Sequence, residues 1–507
     1  MLTRLKFTAR STLIYSLGSI SLKLIGLILL PIYTDQLTTD QFGMWSLLEV
    51  TSQILVITFG LRLSTAMIRF YSDEQEGSGR AKIVFTALLA SLVSIFIFNA
   101  GTHPFVRTFS ELFFDTPQFA DYFTFLIIWI SFEILNRLVL DLIRIKERPG
   151  FYITLTIIKF VIVLSLNIYF IVYRGMGIKG IILGQLVGSI FIFLFALPFL
   201  LREMKWSLDR VLFHEMFRYG FPLIFSGISA FALTAGDRYL LKIFMDYHEV
   251  GIYSLSYKIS NVLKMVLVQA FQLGFLPIAF NMYNKADAPR FFSKIFTYYV
   301  FILFWSGLVI ALFSKELILL LSSSETYYES YKYIPWLVLS VCFFGMQNFF
   351  IIGLHYAKKT KRIALITLIV LGFSMGLNLL LIPWIGLYGA AITSILSGLL
   401  YTLLNFFQSQ KYYPIRFELK KVGIIIAVSI LLVIVSLLFS NWHISLRIVV
   451  KALLTLIFPA ALYLVGFYEA VEIERLKGLW KKWRNPRHWY DNLTEISRKQ
   501  SMDSSDI

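Results

Sequence analysis

The sequence predicts an all-α polytopic membrane protein of about fourteen transmembrane helices, and three observations predict it. Of the 507 residues 58% are hydrophobic and only 15% charged, a balance no soluble domain carries. The apolar residues gather in runs long enough to span a bilayer, whose core of about 30 Å takes roughly 20 helical residues. Basic residues concentrate in every second connection between those runs. The runs lie near 11–34, 44–61, 81–100, 122–142, 152–173, 177–201, 220–241, 251–275, 292–313, 334–356, 363–382, 388–408, 422–438 and 446–467, and are numbered here as spans 1 to 14.

Span 1 follows a basic leader (Arg4, Lys6, Arg10) as a signal peptide does, yet it is too long for one. It also carries Lys23 in its middle and ends at Asp35 rather than at a small-residue cleavage site, so it reads as a retained helix. The N-terminus, the connections at 62–82, 143–151, 202–219, 282–294, 357–362 and 409–421, and the C-terminal tail together hold 33 Lys and Arg, against 7 in the alternate connections. Both termini are therefore expected in the cytoplasm. The formal charge of +17 is thereby explained as a topology signal, and nucleic acid is not an expected partner. The longest connections, 101–121 and 314–333, are too short for a separate domain.

An internal repeat divides the spans. Phe42-Gly43-Met44-Trp45-Ser46-Leu47 matches Val250-Gly251-Ile252-Tyr253-Ser254-Leu255 at an offset of 208, and Gly177-Ile178-Lys179-Gly180 matches Gly386-Leu387-Tyr388-Gly389 at 209. Leu166-Asn167 matches Leu377-Asn378 at 211. Six helices per copy return the chain to the starting side, so the copies should be related by a pseudo-twofold along the membrane normal. The expected organisation is a six-helix lobe over 1–219, a second over 220–421, two further helices over 422–467 and a basic tail over 468–507. In that tail Leu476, Leu479, Trp480 and Trp483 fall on one helical face among basic residues, which predicts an interfacial helix on anionic membrane lipid.

Leu30-Pro31-Ile32-Tyr33-Thr34 with Phe42-Gly43, the stretch from Gly60-Leu61 to Ile68-Arg69-Phe70-Tyr71, Gly236-Asp237-Arg238-Tyr239-Leu240, and Asn378 to Pro383 followed by Gly386-Leu387-Tyr388-Gly389-Ala390-Ala391 carry a resemblance across spans 1–12. The sequence resembles the polysaccharide-biosynthesis flippases, O-antigen type included, of the superfamily that also holds MATE exporters and MurJ-type lipid II flippases. The resemblance implies two lobes around a central cavity that opens alternately to either side of the bacterial inner membrane. It implies as substrate a polyprenyl-diphosphate-linked oligosaccharide destined for cell-surface polysaccharide such as lipopolysaccharide. Polymerase and glycosyltransferase partners would follow, for a protein expected to be a monomer. A MurJ-type lipid II flippase and a MATE-type exporter are the alternatives.

Charges inside spans are costly, about 2.5–3.5 kcal/mol each on insertion scales, and face a polar cavity or a partner. Lys23, Lys264, Lys258, Arg238, Arg137 and Lys159 are the candidates for a cationic cavity that binds a diphosphate. Asp237, Glu49 and Glu133 are candidate coupling groups or charge partners. Lys23 and Lys264 lie too deep to snorkel, whereas Lys159 and Lys258 are near enough to a helix end to do so. Glu133 and Arg137, at i and i+4, are either a self-neutralising pair or a substrate contact. Asp237 and Arg238 point to different sides of their helix. Lys451, in span 14, reads as an interface anchor. Arg62 and Arg69, seven apart, share a face at the cytoplasmic entrance if the helix continues past Leu61.

An enzyme is not expected, and neither is a metal or a cofactor. The six histidines are scattered, the single Cys342 excludes a CxxC site, and neither a GxSxG nor a P-loop occurs.

Overall fold

The structure is a computed structural model and describes residues 26–74, 77–282, 285–470 and 472–474. Among these residues it is all-helical. Twelve helices are long and apolar enough to cross a membrane, and they coincide with spans 2–7 and 9–14. Span 1 lies mostly outside the described residues, Lys23 with it, as does the interfacial helix expected in the tail. Span 8 is a helical rod interrupted by a π-helical stretch at Lys264–Gln269.

The first lobe comprises α1 (Leu30–Gln36), α2 (Thr39–Phe59), α3 (Leu63–Asp73), α4 (Ser78–Thr102), α5 (Val106–Phe114), α6 (Ala120–Ile145), α7 (Pro149–Ile168) and α8 (Gly177–Glu203). The second comprises α9 (Arg210–Ala235), α10 (Asp237–Phe244), α11 (Tyr247–Leu263), α12 (Ala270–Met282), α13 (Ala288–Leu312), α14 (Ser314–Leu321), α15 (Ile334–Tyr356), α16 (Thr360–Ile385) and α17 (Leu387–Gln410). All belong to one compact unit that ends at Phe417. A second unit begins at Glu418 and holds the hairpin of α18 (Leu419–Leu437) and α19 (Ile444–Leu464), in which Lys421 binds both Glu418 and Glu469 at 3.2 Å.

Local chemistry starts and stops these helices where the sequence changes character. Thr38 and Gln41 form a reciprocal capping box at the start of α2, and Asp246 accepts from His248 and Glu249 at the start of α11. The two copies place these caps at equivalent positions. The hairpins α7–α8 and α16–α17 turn on Gly175, Gly177 and Gly386, all with positive φ, which glycine alone adopts at no steric cost. Pro149, Pro289 and Pro335 stand in the first turns of α7, α13 and α15, where a missing N–H goes unnoticed.

The pseudo-twofold shows where the repeats touch. A Cβ on Gly43 would overlap the carbonyl oxygen of Tyr247, and a Cβ on Gly251 that of Thr39; Tyr247 and Thr39 are themselves 208 apart. Ser46 Oγ donates to Ser254 Oγ at 2.7 Å, a residue meeting its own counterpart on the axis. α2 and α11 therefore cross backbone to backbone at the end of the molecule poor in Lys and Arg, opposite the basic connections. The hairpins repeat the logic within each lobe: Gly180 admits Phe170 and Gly389 admits Leu381, at offsets of 209 and 211.

Candidate functional site: a cationic cavity beneath an interlobe seal

A series of contacts closes the end that is poor in Lys and Arg. Thr39 Oγ1 and His248 Nδ1 share a hydrogen bond of 2.7 Å, followed inward by the glycine crossing, the Ser46–Ser254 pair, the ion pair of Glu49 with Lys258 at 2.9 Å, and Thr51 Oγ1 against the Tyr239 hydroxyl at 2.7 Å. Each joins the first lobe to the second. Tyr327, in the connection before α15, adds a strap by donating to the carbonyls of Leu37 and Thr38 at 3.0 and 2.9 Å.

One turn beyond Glu49, Gln53 marks the start of a cavity of about 690 Å³ between the lobes, on the basic side of this seal. Among the described residues three cations line it: Arg62 and Arg137 from the first lobe and Lys264 from the second. Asp141 is the one carboxylate among the described lining residues, and Arg144 already donates to it at 3.3 Å. Neutral amides complete the wall, among them Asn261, Gln269, Gln272, Gln347 and Asn348. The space matches clefts of about 300–1,000 Å³ that hold small ligands.

Broken helices deliver two of the three cations. α2 stops at Phe59, and the chain passes through Leu61 and Arg62 in the left-handed conformation (φ 48° and 51°) before α3 begins. α9 leaves room for the Arg62 guanidinium by presenting Gly227, where a Cβ would come within 2.9 Å of Cζ. Arg62 Nε is buried with no hydrogen-bond partner among the described residues, and Arg137 lies close enough to act on it electrostatically. Like charges facing one space raise each other's energy until an anion enters. Lys264 opens the π-helical stretch, a local widening frequent at functional sites. It makes no hydrogen bond or ion pair with a described residue.

The remaining candidates sit elsewhere. Lys159, expected in the cavity, is buried inside the first lobe, where it pairs with Glu133; Ser189 also donates to that carboxylate. Glu133 thus turns to α7 and α8 rather than to Arg137 four residues on, because the apolar bundle offers Lys159 no other anion. Arg137 is left exposed to the cavity. The α2–α3 break also separates Arg62 from Arg69. Arg69 faces outward, 3.9 Å from Asp73 and stacked over Tyr219, so the two arginines do not share a helix face. Lys258 and Glu49 belong to the seal. Asp237 accepts from Tyr253 at 2.6 Å, and Arg238 lies over Tyr257, which lines the cavity. Lys451 is buried in the second unit.

Sequence reasoning missed Asp141, Tyr257 and the amides of α15. Asp141 was hidden by its place at a span end beside Arg144, where it looked like a loop charge. Gln347 and Asn348 were hidden in an apolar run.

The fold has known counterparts. The chain matches a solved lipid II flippase MurJ, inward closed conformation, with a TM-score of 0.73 at 14% identity, over 90% of this chain and 100% of that one. It matches an inward-facing MATE family multidrug resistance transporter with a TM-score of 0.63 at 16% identity, over 77% and 94%. The outward-facing form of a MATE family transporter gives 0.58 at 16% identity, over 80% and 95%. Comparison with curated proteins finds no match. The family model described as polysaccharide biosynthesis protein matches residues 8–283, more than half of the sequence. The chain therefore belongs to the polysaccharide biosynthesis protein family, built on the membrane transporter fold that MurJ and the MATE proteins share.

Proposed function

We propose that the protein is a flippase, not an enzyme, that moves a polyprenyl-diphosphate-linked oligosaccharide across the bacterial inner membrane by alternating access. The observation that carries this is the cavity, whose described lining sets three cations against one carboxylate that is already engaged. A diphosphate satisfies guanidinium and ammonium groups that form no ion pair with a described residue, and the amides suit sugar hydroxyls. The basic end is cytoplasmic by the positive-inside rule, so the cavity faces the side on which lipid-linked sugars are assembled. A carrier of cationic drugs would need carboxylates here.

The test uses vesicles containing the purified protein and a fluorescent polyprenyl-diphosphate oligosaccharide. Arg137→Ala and Lys264→Ala should each weaken binding about tenfold to a hundredfold, since hydrogen bonds to charged groups contribute about 1.5–3 kcal/mol. Translocation should fall with it while membrane insertion stays normal. Lys264→Glu flipping at the wild-type rate would contradict the reading.

A second reading, lipid II as substrate, is favoured by the match along the whole of MurJ. The two substrates share the lipid diphosphate and differ in the glycan. The same vesicles loaded with lipid II separate them.

A further inference from the structure

Most cations within the two lobes' spans have an anion or a cavity. Lys159 has Glu133, Lys258 has Glu49, and Arg62, Arg137 and Lys264 face the cavity. Arg238 has neither. Only 6% of it is exposed, its Nε is buried without a partner, and none of its side-chain donors bonds to a described residue. Asp237 balances part of the charge through space, but its carboxylate accepts from the Tyr253 hydroxyl and from the Arg238 backbone N–H, not from the guanidinium. A guanidinium offers five donors, and leaving the buried Nε idle away from water is costly unless a ligand takes it in part of the cycle.

Its guanidinium lies over the face of Tyr257, 4.4 Å from the guanidinium carbon to the ring centroid. Tyr257 itself lines the cavity, and its hydroxyl has no hydrogen-bond partner among the described residues, so no polar contact pins the ring. Arg238 also stands nearer the end poor in Lys and Arg than Lys264 does, next to Tyr239, which bonds to Thr51 in the seal. An arginine without an ion pair thus lies against an aromatic ring of the wall that also holds three cations.

We propose that Arg238 is a second anion-binding station for the substrate's diphosphate, shielded by Tyr257 and engaged after Arg62, Arg137 and Lys264. This rests on the flippase reading and adds an order of events to it. Entry binding occurs with Tyr257 over Arg238. Displacement of the ring lets the guanidinium take the diphosphate in bidentate fashion, so that opening of the seal presents a substrate already moved toward the exit.

The experiment measures binding and translocation separately, with farnesyl diphosphate as the binding probe and the fluorescent polyprenyl-diphosphate oligosaccharide as cargo, on full-length protein in vesicles. Arg238→Gln should leave probe affinity within about twofold of wild type while lowering the maximal translocation rate at least tenfold, and Arg238→Lys should recover part of that rate. Tyr257→Ala uncovers the station and should tighten probe binding about tenfold, the worth of one new charge-assisted contact. The gain should vanish in Tyr257→Ala/Arg238→Gln. Normal translocation by Arg238→Gln, or a Tyr257→Ala protein that binds no tighter than wild type, overturns the second station while leaving the entry cavity intact. Wild-type protein that neither binds the probe nor flips the cargo overturns the flippase reading and this station together.

Discussion

The two copies of the repeat are alike where they meet and unlike where they face the cavity. At the end poor in Lys and Arg α2 and α11 approach through equivalent glycines and pair equivalent serines. Some 15 residues further along, α2 breaks into two left-handed residues ending at Arg62, whereas the other copy stays helical through the π stretch that begins at Lys264. A contact on the axis must satisfy both copies at once, so it holds both sequences to the same small residues. A cavity wall has no such obligation. Each copy solves its own problem of placing a cation in the space, one by breaking the helix and the other by widening it.

The largest effect should come from breaking the symmetric part. Gly43→Leu drives a side chain into the Tyr247 carbonyl, and overpacking of this kind costs about 1–3 kcal/mol. Since that strain exists only while the lobes are in contact, the closed-to-open ratio should fall roughly tenfold to a hundredfold. Flipping should be lost, and a Ser254→Cys reporter in a Cys342→Ser background should become accessible to a reagent from the side poor in Lys and Arg. Gly372→Leu, at a glycine with no neighbour within 4 Å, should behave as wild type. Equal behaviour of the two leucine variants would mean that the glycine crossing is not under steric control.

How much of this the sequence revealed follows the same division. The offset of 208 read from short matches reappears as physical contact because a symmetry axis imposes identity on residues that meet. Lys264 was legible because a deep lysine has no bland explanation. Glu133 was legible as a charge in need of a partner but not as the partner of Lys159, since helix periodicity points to Arg137 and only the packing of α6 against α7 and α8 decides otherwise. The end of span 2 near Leu61 was legible, but the left-handed turn that follows Phe59 was not. Leu61 and Arg62 are ordinary helix formers, and it is Gly220 and Gly227 of α9, more than 150 residues away, that admit the broken segment.

A smaller effect should sharpen the boundary between seal and cavity. Glu49 and Lys258 lie one turn inside the serine pair, their side chains 40% and 19% exposed, and an ion pair with that much access to water is worth about 0.2–1 kcal/mol. Glu49→Lys sets two cations against each other across the lobes and should slow flipping several-fold. Adding Lys258→Glu should restore most of the rate. Failure of the double variant to recover would show that Glu49 acts on something other than Lys258, for which a proton-coupling role is the first candidate to measure.

The central claim is that substrate crosses only when the seal between the two copies opens. Ser46 and Ser254, their hydroxyls 2.7 Å apart on the axis, give the most direct test. Ser46→Cys/Ser254→Cys in a Cys342→Ser background places two thiols within reach of a disulfide. With the crosslink quantitatively formed, translocation of the fluorescent polyprenyl-diphosphate oligosaccharide should stop and should return on reduction, while probe binding in the cavity persists throughout. Translocation at the wild-type rate through the crosslinked protein would contradict alternating access and require a path that leaves the seal shut.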